Sequence, residues 1–238
     1  GILMKDKKPA IYIHKIITKT QSFTGIIVAT SIEDYKNNII KKHEDTIAFR
    51  VRLLKEYMKY SEFNTEPVLM TYPDNKTIEN WIFNCTQKLA DFEFSTTKKE
   101  THYLWKIDDV LEIEWLQKIF EKTQNLYIAD GHHRSEAAKL LFEENDDPKN
   151  TSKNFLLSYL ISENNVKILE FNRLIKDLNG LSKEAFLKEI EMNFEIENQW
   201  QHPFQPKNKH EFGMYLDNAF YKITYRKENQ HFTTALES

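Results

Sequence analysis

The alternation of hydrophobic and polar positions predicts strands and helices that follow one another along the chain. Residues 9–32, which contain PAIYIHKII and TGIIVATSI around a polar turn, are expected to form a strand hairpin. Residues 45–60, DTIAFRVRLLKEYMKY, have the spacing of an amphipathic helix, and residues 67–73, PVLMTYP, have the composition of a short buried strand. The start of the chain therefore indicates a domain of mixed α and β structure.

The middle of the chain repeats this alternation. The pattern predicts helices over residues 77–90 and 111–123, and strands over residues 101–108 and 125–130. A further helix is expected over residues 135–145, SEAAKLLFEEN, directly after the second of these strands. Strand and helix thus meet at a corner, and a dense group of polar side chains lies there.

Beyond a charged loop, residues 155–163 and 166–175 favour two strands joined as a hairpin through Asn164 and Asn165. Residues 182–194 then have the pattern of a helix. A small antiparallel meander is expected at the end of the chain, from short strands over residues 212–218, 219–226 and 231–237.

These elements predict an α+β fold. A mixed β-sheet with flanking helices is expected over residues 1–180, and a smaller α+β extension over residues 181–238, with a boundary near Gly180. No internal repeat or low-complexity segment interrupts this division.

Composition agrees with a packed protein and disfavours several classes of function. The chain has 238 residues, of which 40% are hydrophobic, enough to bury a sizeable core. Its net charge of -3 gives no general attraction to nucleic acid, and no apolar run approaches the roughly 20 residues that span a bilayer. We therefore expect a cytoplasmic protein without nucleic-acid or membrane partners. The single cysteine, Cys85, is expected to be a buried, inert thiol.

The corner between the predicted strand and helix carries five residues of varied chemistry in succession: Asp130, Gly131, His132, His133 and Arg134. Backbone N–H groups at a helix start lack partners within the helix and carry the positive end of its dipole, so the corner favours an anion such as phosphate. Gly131 permits a sharp turn or a close approach by a ligand, and Arg134 can grip phosphate in a bidentate manner. The imidazoles can donate hydrogen bonds or move protons near neutral pH.

A purely structural interpretation of the same corner remains open. Asp130 can cap the following helix while the side chains of His132, His133 and Arg134 are solvated in its first turn. Asp130 can equally orient a histidine or coordinate a Mg²⁺ ion that accompanies a nucleotide. Two other kinds of site are disfavoured. Adjacent histidines point to different sides of a helix, unlike zinc ligands four residues apart, and the Gly-Lys-Ser/Thr of a Walker loop is missing.

A second polar group lies at residues 39–50, IIKKHEDTIAFR, at the start of the first long predicted helix. Its conservative interpretation is a solvated helix start that Asp45 or Thr46 caps. Its functional interpretation pairs it with the corner, since both segments carry dense titratable side chains next to a predicted helix start. Residues 39–46 are then expected to lie across one cleft from residues 130–134.

Three segments together resemble a known protein family. YIADGHHRSEAA at residues 127–138, IKKHEDT at residues 40–46 and HYLW at residues 102–105 are similar to the DUF1015 family, a group of uncharacterised bacterial and archaeal proteins sometimes labelled ParB-like. The resemblance spans essentially the whole chain. Members of that family typically extend beyond both ends of this chain and carry a Pro-Lys-Ser-Thr motif that it lacks, so the resemblance implies an interior fragment.

More distantly, Asp-Gly-His-His-Arg after an apolar strand resembles the free serine kinases of the ParB/sulfiredoxin-like superfamily, which make O-phosphoserine from free serine and a nucleotide. This resemblance implies a ParB/sulfiredoxin-like fold. It implies that Glu44 is the catalytic base, with His43 beside it, and that Asp130, Gly131, His132, His133 and Arg134 form the phosphate-binding loop. The implied cofactor is ATP or ADP, accompanied by Mg²⁺.

The same superfamily contains activities that this chain does not match. Sulfiredoxins keep a catalytic cysteine in Gly-Cys-His-Arg, and His132 stands in its place here; ParB proteins carry a downstream helix-turn-helix, which the predicted strands do not provide. The leading hypothesis is therefore a nucleotide-dependent kinase for a small hydroxyl compound such as free serine. The alternative is a ParB-like nucleotide-binding regulatory module without turnover, in which His43 and Glu44 only brace the loop. A third is a structural protein without a ligand.

Overall fold

The computed structural model describes residues 6–147, 149–167, 172–200 and 202–226. The chain divides into two compact units, Gly1–Ile168 and Leu169–Ser238, and the candidate residues at positions 43–44 and 130–134 all belong to the first. Among the described residues, no helix combines the length and apolar character that crossing a bilayer requires.

The first unit is built from eight strands and five helices within the described ranges. In chain order they are β1 (Ile11–Ile17), β2 (Ser22–Ser31), α1 (Ile32–Lys36), β3 (Ile40–Lys41), α2 (Ala48–Ser61), β4 (Val68–Tyr72), α3 (Lys76–Thr86), β5 (Phe92–Ser95), β6 (Thr101–Ile107), α4 (Val110–Phe120), β7 (Leu126–Asp130), α5 (His132–Glu143) and β8 (Phe155–Ser162). The strands form one mixed sheet in the order β3-β7-β4-β8-β2-β1-β6-β5. The expected α+β class with a mixed sheet is confirmed.

Alternating apolar residues give the sheet a buried face against the helices. In β4, the side chains of Val68, Met70 and Tyr72 are at most 2% exposed, whereas the residues between them are less buried. They belong to a core that includes buried residues of four helices: Ile32 of α1, Ile78 of α3, Leu116 of α4 and Ala138 of α5. Full burial of a large apolar side chain contributes about 1.5–3 kcal/mol relative to exposure, so this face holds the first unit together.

A smaller cluster contains the single cysteine. Cys85 of α3 packs with Ile13, Trp105 and Ile107 and is 5% exposed. Burial, followed by the charge of Glu112, raises the pKa of its thiol, which keeps the sulfur protonated. The expectation of a buried cysteine is confirmed.

The second strand of the hairpin expected through Asn164 and Asn165 falls partly outside the described residues. After β8, residues 163–165 make a single 3-10 turn, and the described residues 166, 167 and 172–175 are not in a strand; residues 168–171 lie outside the described residues. β8 pairs antiparallel with β2 and parallel with β4. Its apolar run therefore fits a central strand with neighbours on both sides.

The second unit contains α6 (Lys183–Glu191) and three antiparallel strands, β9 (Phe194–Trp200), β10 (Glu211–Leu216) and β11 (Ala219–Tyr225), in the order β10-β11-β9. The helix and two of the strands were predicted. The third strand of this sheet, β9, precedes β10 and β11 in the chain and was not predicted. The strand expected at residues 231–237 lies outside the described residues.

Gly25 provides a test of the sheet packing. A Cβ at Gly25, on β2, would lie 2.5 Å from a ring carbon of Tyr159 and 2.7 Å from the carbonyl oxygen of Leu160, both on β8. The carbonyl cannot move without breaking the strand pairing. We predict that Gly25→Ala lowers the free energy of unfolding by about 1–3 kcal/mol in urea denaturation. Ser22→Ala, exposed on the same strand, should change it by no more than about 0.5 kcal/mol. Equal stability of the two variants would contradict this packing.

Candidate functional site

Two distant segments meet because β3 and β7 are parallel neighbours. Ile40 pairs with Leu126 and Lys41 with Tyr127, and the amide of Leu126 donates to the carbonyl of Ile39 at 3.2 Å. Parallel strands end at the same edge of a sheet, so the loop after β3 and the helix after β7 start side by side. The loop at residues 42–47 therefore lies against the first turn of α5.

His132 is the buried centre of this contact. Its side chain is 4% exposed, its ring meets the ring of His43 edge-on at 4.5 Å between centroids, and its Nε2 accepts from the amide of His43 at 3.5 Å. Because Nε2 accepts, we assign the proton of the neutral ring to Nδ1. Nδ1 faces the carboxylate of Glu44, 3.7 Å from Oε2. The predicted pairing of the two segments thus brings Glu44 next to His132.

The environment of His132 keeps its ring neutral. Burial and then the neighbouring His43 lower the pKa of His132 below its ordinary value of 6.5, against the opposing charges of Glu44 and Asp130. Burial is the larger cause. At neutral pH the ring therefore contributes one acceptor and one donor rather than a positive charge.

His133 holds the other end of the same loop. Its Nε2 accepts from the amide of Ile47 at 3.1 Å, and Ile47 is the residue that precedes the first turn of α2. No side chain caps α2, so the expected capping by Asp45 or Thr46 is wrong, and the helix begins only at Ala48. An imidazole from a neighbouring helix supplies an acceptor at this helix start.

The start of α5 has no side-chain cap. Gly131 precedes the helix with φ 104°, in the left-handed region, and no side chain caps the helix. The amide of Ser135 makes the first helical bond, to the carbonyl of Gly131 at 3.0 Å, so the amides of residues 132–134 have no acceptor within the helix. The alternative in which Asp130 caps α5 is therefore wrong.

Arg134 ties the start of α5 to β4. Its guanidinium donates to the carbonyl of Pro67 and to Oδ2 of Asp130, the latter at 2.7 Å, and lies 3.5 Å from a carboxylate oxygen of Glu66. Its side chain is 21% exposed, so the alternative of a solvated first turn is wrong for Arg134, as it is for the buried His132. In this structure the arginine binds protein groups at the edge of the candidate anion site.

The glycine at the corner is required by protein packing. A Cβ at Gly131 would lie 3.0 Å from Cγ2 of Val68 and 3.3 Å from Cζ of Arg134. The sequence suggested that a ligand approaches the backbone of Gly131 closely. In the structure the side chains of Val68 and Arg134 occupy this place. The positive φ adds a second reason for glycine, since other L residues are strained there.

The site has carboxylates suited to a Mg²⁺–nucleotide but no preformed metal cluster. No group of three or more His, Cys, Asp or Glu side chains within the described ranges could hold a metal ion. The side chains of Glu44 and Asp130 are 64% and 72% exposed. The negative charge of each acts to raise the pKa of His132, so both carboxylates lie near that ring. Mg²⁺ usually binds one or two carboxylates together with phosphate oxygens, and these two residues fit that pattern.

Some contacts of the site had no signal in the sequence. Glu66 and Pro67 bind Arg134 only because β4 lies next to β7 in the sheet. The hydroxyl of Tyr35 on α1 donates to Glu136 on α5 at 2.7 Å, and this hydrogen bond holds α1 against α5. Both contacts depend on strand and helix order, which spacing along the chain does not reveal.

One protein family accounts for the whole chain. The family model described as "Protein of unknown function (DUF1015)" matches residues 1–238. No curated protein and no solved structure matches the chain. The resemblance of the three sequence segments to that family is confirmed.

The lowered pKa of His132 predicts a pH dependence of stability. Because the folded pKa lies below the unfolded one, the contribution of His132 is full above about 6.5 and is lost as the pH falls through the folded pKa. His132→Gln keeps an acceptor for the amide of His43 but cannot titrate. We predict that its stability falls less than that of the wild type between pH 7 and pH 5, measured by urea denaturation.

A matched control separates this effect from general acid destabilisation. His202→Gln replaces an exposed histidine and should keep the wild-type pH dependence. His14, whose pKa is also lowered, mainly by burial, remains in both variants and cancels in the comparison. An unchanged pH dependence in His132→Gln would show that His132 is not the buried titrating group.

Proposed function

Since the chain belongs to the DUF1015 family, whose function is unknown, we propose from its own geometry that it is a nucleotide-dependent kinase acting on a small hydroxyl compound such as free serine. The observation that carries this proposal is the exposed carboxylate of Glu44 beside the uncapped start of α5. A general base beside an uncapped helix start supplies two of the parts that phosphoryl transfer uses. The proposal includes a ParB/sulfiredoxin-like fold for the first unit, which rests on sequence resemblance.

The phosphate end of ATP or ADP binds the first turn of α5 in this proposal. The amides of residues 132–134 supply donors, and the positive end of the helix dipole adds roughly 0.3–1 kcal/mol for an anion near the terminus. Arg134 contributes positive charge at the rim and keeps Asp130 in place through their 2.7 Å contact. A phosphate that takes a guanidinium hydrogen bond does so in competition with Asp130.

Glu44 deprotonates the acceptor hydroxyl. Its carboxylate takes the proton as the hydroxyl oxygen attacks the terminal phosphorus; the bond from that phosphorus to its bridging oxygen breaks, and the shortened nucleotide leaves with the electron pair. The Nδ1–H of His132 faces this carboxylate, with 3.7 Å between Nδ1 and Oε2, and orients it at the position where the base is needed. The amide and the ring of His43 both contact His132, and these contacts position the loop that carries Glu44.

A Mg²⁺ ion supplies charge neutralisation between phosphate and carboxylate in this mechanism. Asp130 is the residue that would hold it, because its carboxylate is exposed next to the uncapped start of α5 and Glu44 is needed as a free base. Without a cation or a hydroxyl between them, a phosphate at α5 and the carboxylate of Glu44 repel each other. We therefore expect nucleotide binding to be stronger with Mg²⁺ than without it.

A second candidate function is a nucleotide-binding regulatory module without turnover. It is favoured by the hydrogen bonds from the amides of His43 and Ile47 to the two corner histidines, which show that both imidazoles brace the loop. In this version Glu44 helps to shape the loop and has no proton to move. Binding of nucleotide is common to both candidates, and turnover separates them.

Glu44→Gln tests the catalytic assignment. With Mg²⁺, ATP or ADP, and free serine, the wild type should form O-phosphoserine, detected by ³¹P NMR, and the variant should lose about a hundredfold or more in rate while keeping nucleotide affinity in calorimetry. Asp45→Asn removes the same charge from the next, exposed residue and should keep the rate. Equal rates in both variants would contradict the role of Glu44. Nucleotide binding without turnover of serine or other small alcohols would favour the regulatory module.

Arg134 variants test the phosphate site. Arg134→Ala should weaken ADP binding by about ten- to a hundredfold, the value of one charge-assisted hydrogen bond, and should also lower the unfolding temperature because the carbonyl of Pro67 loses its donor. Arg134→Lys should recover part of the affinity. Arg52→Ala, exposed on α2, is the control and should keep both values. Wild-type ADP affinity in Arg134→Ala, with reduced stability, would make this arginine purely structural.

A further inference from the structure

A cavity of about 830 Å³ lies elsewhere in the first unit, among residues of β1, β2, α1 and α4. None of residues 42–47 or 130–135 lines it, so it is separate from the candidate phosphate site. Its walls are mostly apolar and include Val28, Ile113, Leu116 and Phe120. This volume is in the range of small-molecule sites, roughly 300–1,000 Å³.

The charge of this cavity has one sign. Among the described residues of its lining, Asp34 of α1 and Glu121 at the end of α4 are charged, and none is a lysine, an arginine or a histidine. Neither carboxylate forms an ion pair with any residue that the structure describes. Such a wall disfavours an anionic ligand such as a nucleotide and favours a positively charged one.

The position of Asp34 strengthens this preference. Its side chain is half-buried, and burial, followed by the charge of Glu33, raises the pKa of its carboxyl group. A carboxylate that has lost part of its hydration gains more from a cation than one that is fully solvated. Gln117 and Thr123 add neutral hydrogen-bonding groups beside Glu121.

We propose that this cavity binds an organic ammonium ion with an apolar body, whose alkyl or aromatic part packs on Val28, Ile113 and Phe120 and whose ammonium group pairs with Asp34 or Glu121. The apolar walls supply the larger part of the contact area, and the two carboxylates select the charge. The proposal does not depend on the kinase proposal, since the two sites share no residue.

Binding of three probes of equal chain length tests the proposal. Hexylammonium, hexanol and hexanoate differ only in the head group, and each can be titrated into the full chain and followed by ligand-observed NMR. We expect hexylammonium to bind saturably with a Kd of about 1 mM or tighter, and hexanoate to bind at least about tenfold more weakly. Hexanol binding as tight as hexylammonium, or no saturable binding of hexylammonium, would overturn the proposal.

Charge variants with a matched control locate the binding. Asp34→Asn and Glu121→Gln keep side-chain size, and at least one of them should weaken hexylammonium binding about fivefold or more. Glu114→Gln removes the same charge from an exposed position on α4 that does not line the cavity, and should keep the wild-type affinity. Gln117→Trp, which places a large ring in the lining, should abolish binding. Equal losses in all three charge variants would indicate general attraction to an acidic protein and overturn the cavity assignment.

Discussion

The parallel pairing of two short strands determines where the chemistry of this protein can lie. β3 has only two residues, yet its pairs Ile40–Leu126 and Lys41–Tyr127 fix where the loop at residues 42–47 begins relative to α5. If β3 and β7 were antiparallel, the loop after β3 would begin at the other end of β7, away from the start of α5. The exposed carboxylate of Glu44 and the uncapped start of α5 are neighbours because of this pairing.

The corner histidines combine architecture with chemistry. His132 and His133 each accept an amide hydrogen from the loop, so they hold the loop in place without needing a positive charge. Because the ring of His132 is neutral, it adds no positive charge near the proposed phosphate, to which the helix dipole and Arg134 contribute. Arg134 in turn joins α5 to β4 through Pro67, so binding and stability at this corner depend partly on the same side chain.

Local patterns in the sequence predicted most elements of the first unit and the pairing of the two polar segments. The elements were predictable because apolar periodicity reports directly on local backbone geometry. The pairing was predicted because both segments carry dense titratable side chains next to a predicted helix start. The order of strands was not predictable, because β8 pairs with β2 and β4, which lie far from it in the sequence. The partners of Arg134 were missed for the same reason: Pro67 and Glu66 reach it through the neighbouring strand, which no local pattern identifies.

The central claim is that the loop after β3 and the first turn of α5 form one nucleotide-phosphate site. Titration of the ¹⁵N-labelled chain with Mg²⁺ and ADP, followed residue by residue through backbone amide shifts, tests it most directly. The account predicts saturable shifts concentrated at residues 42–47 and 131–135, with the amides of His132, His133 and Arg134 among the largest. Saturable shifts that leave both segments unchanged, or no saturable shifts at all, would contradict it.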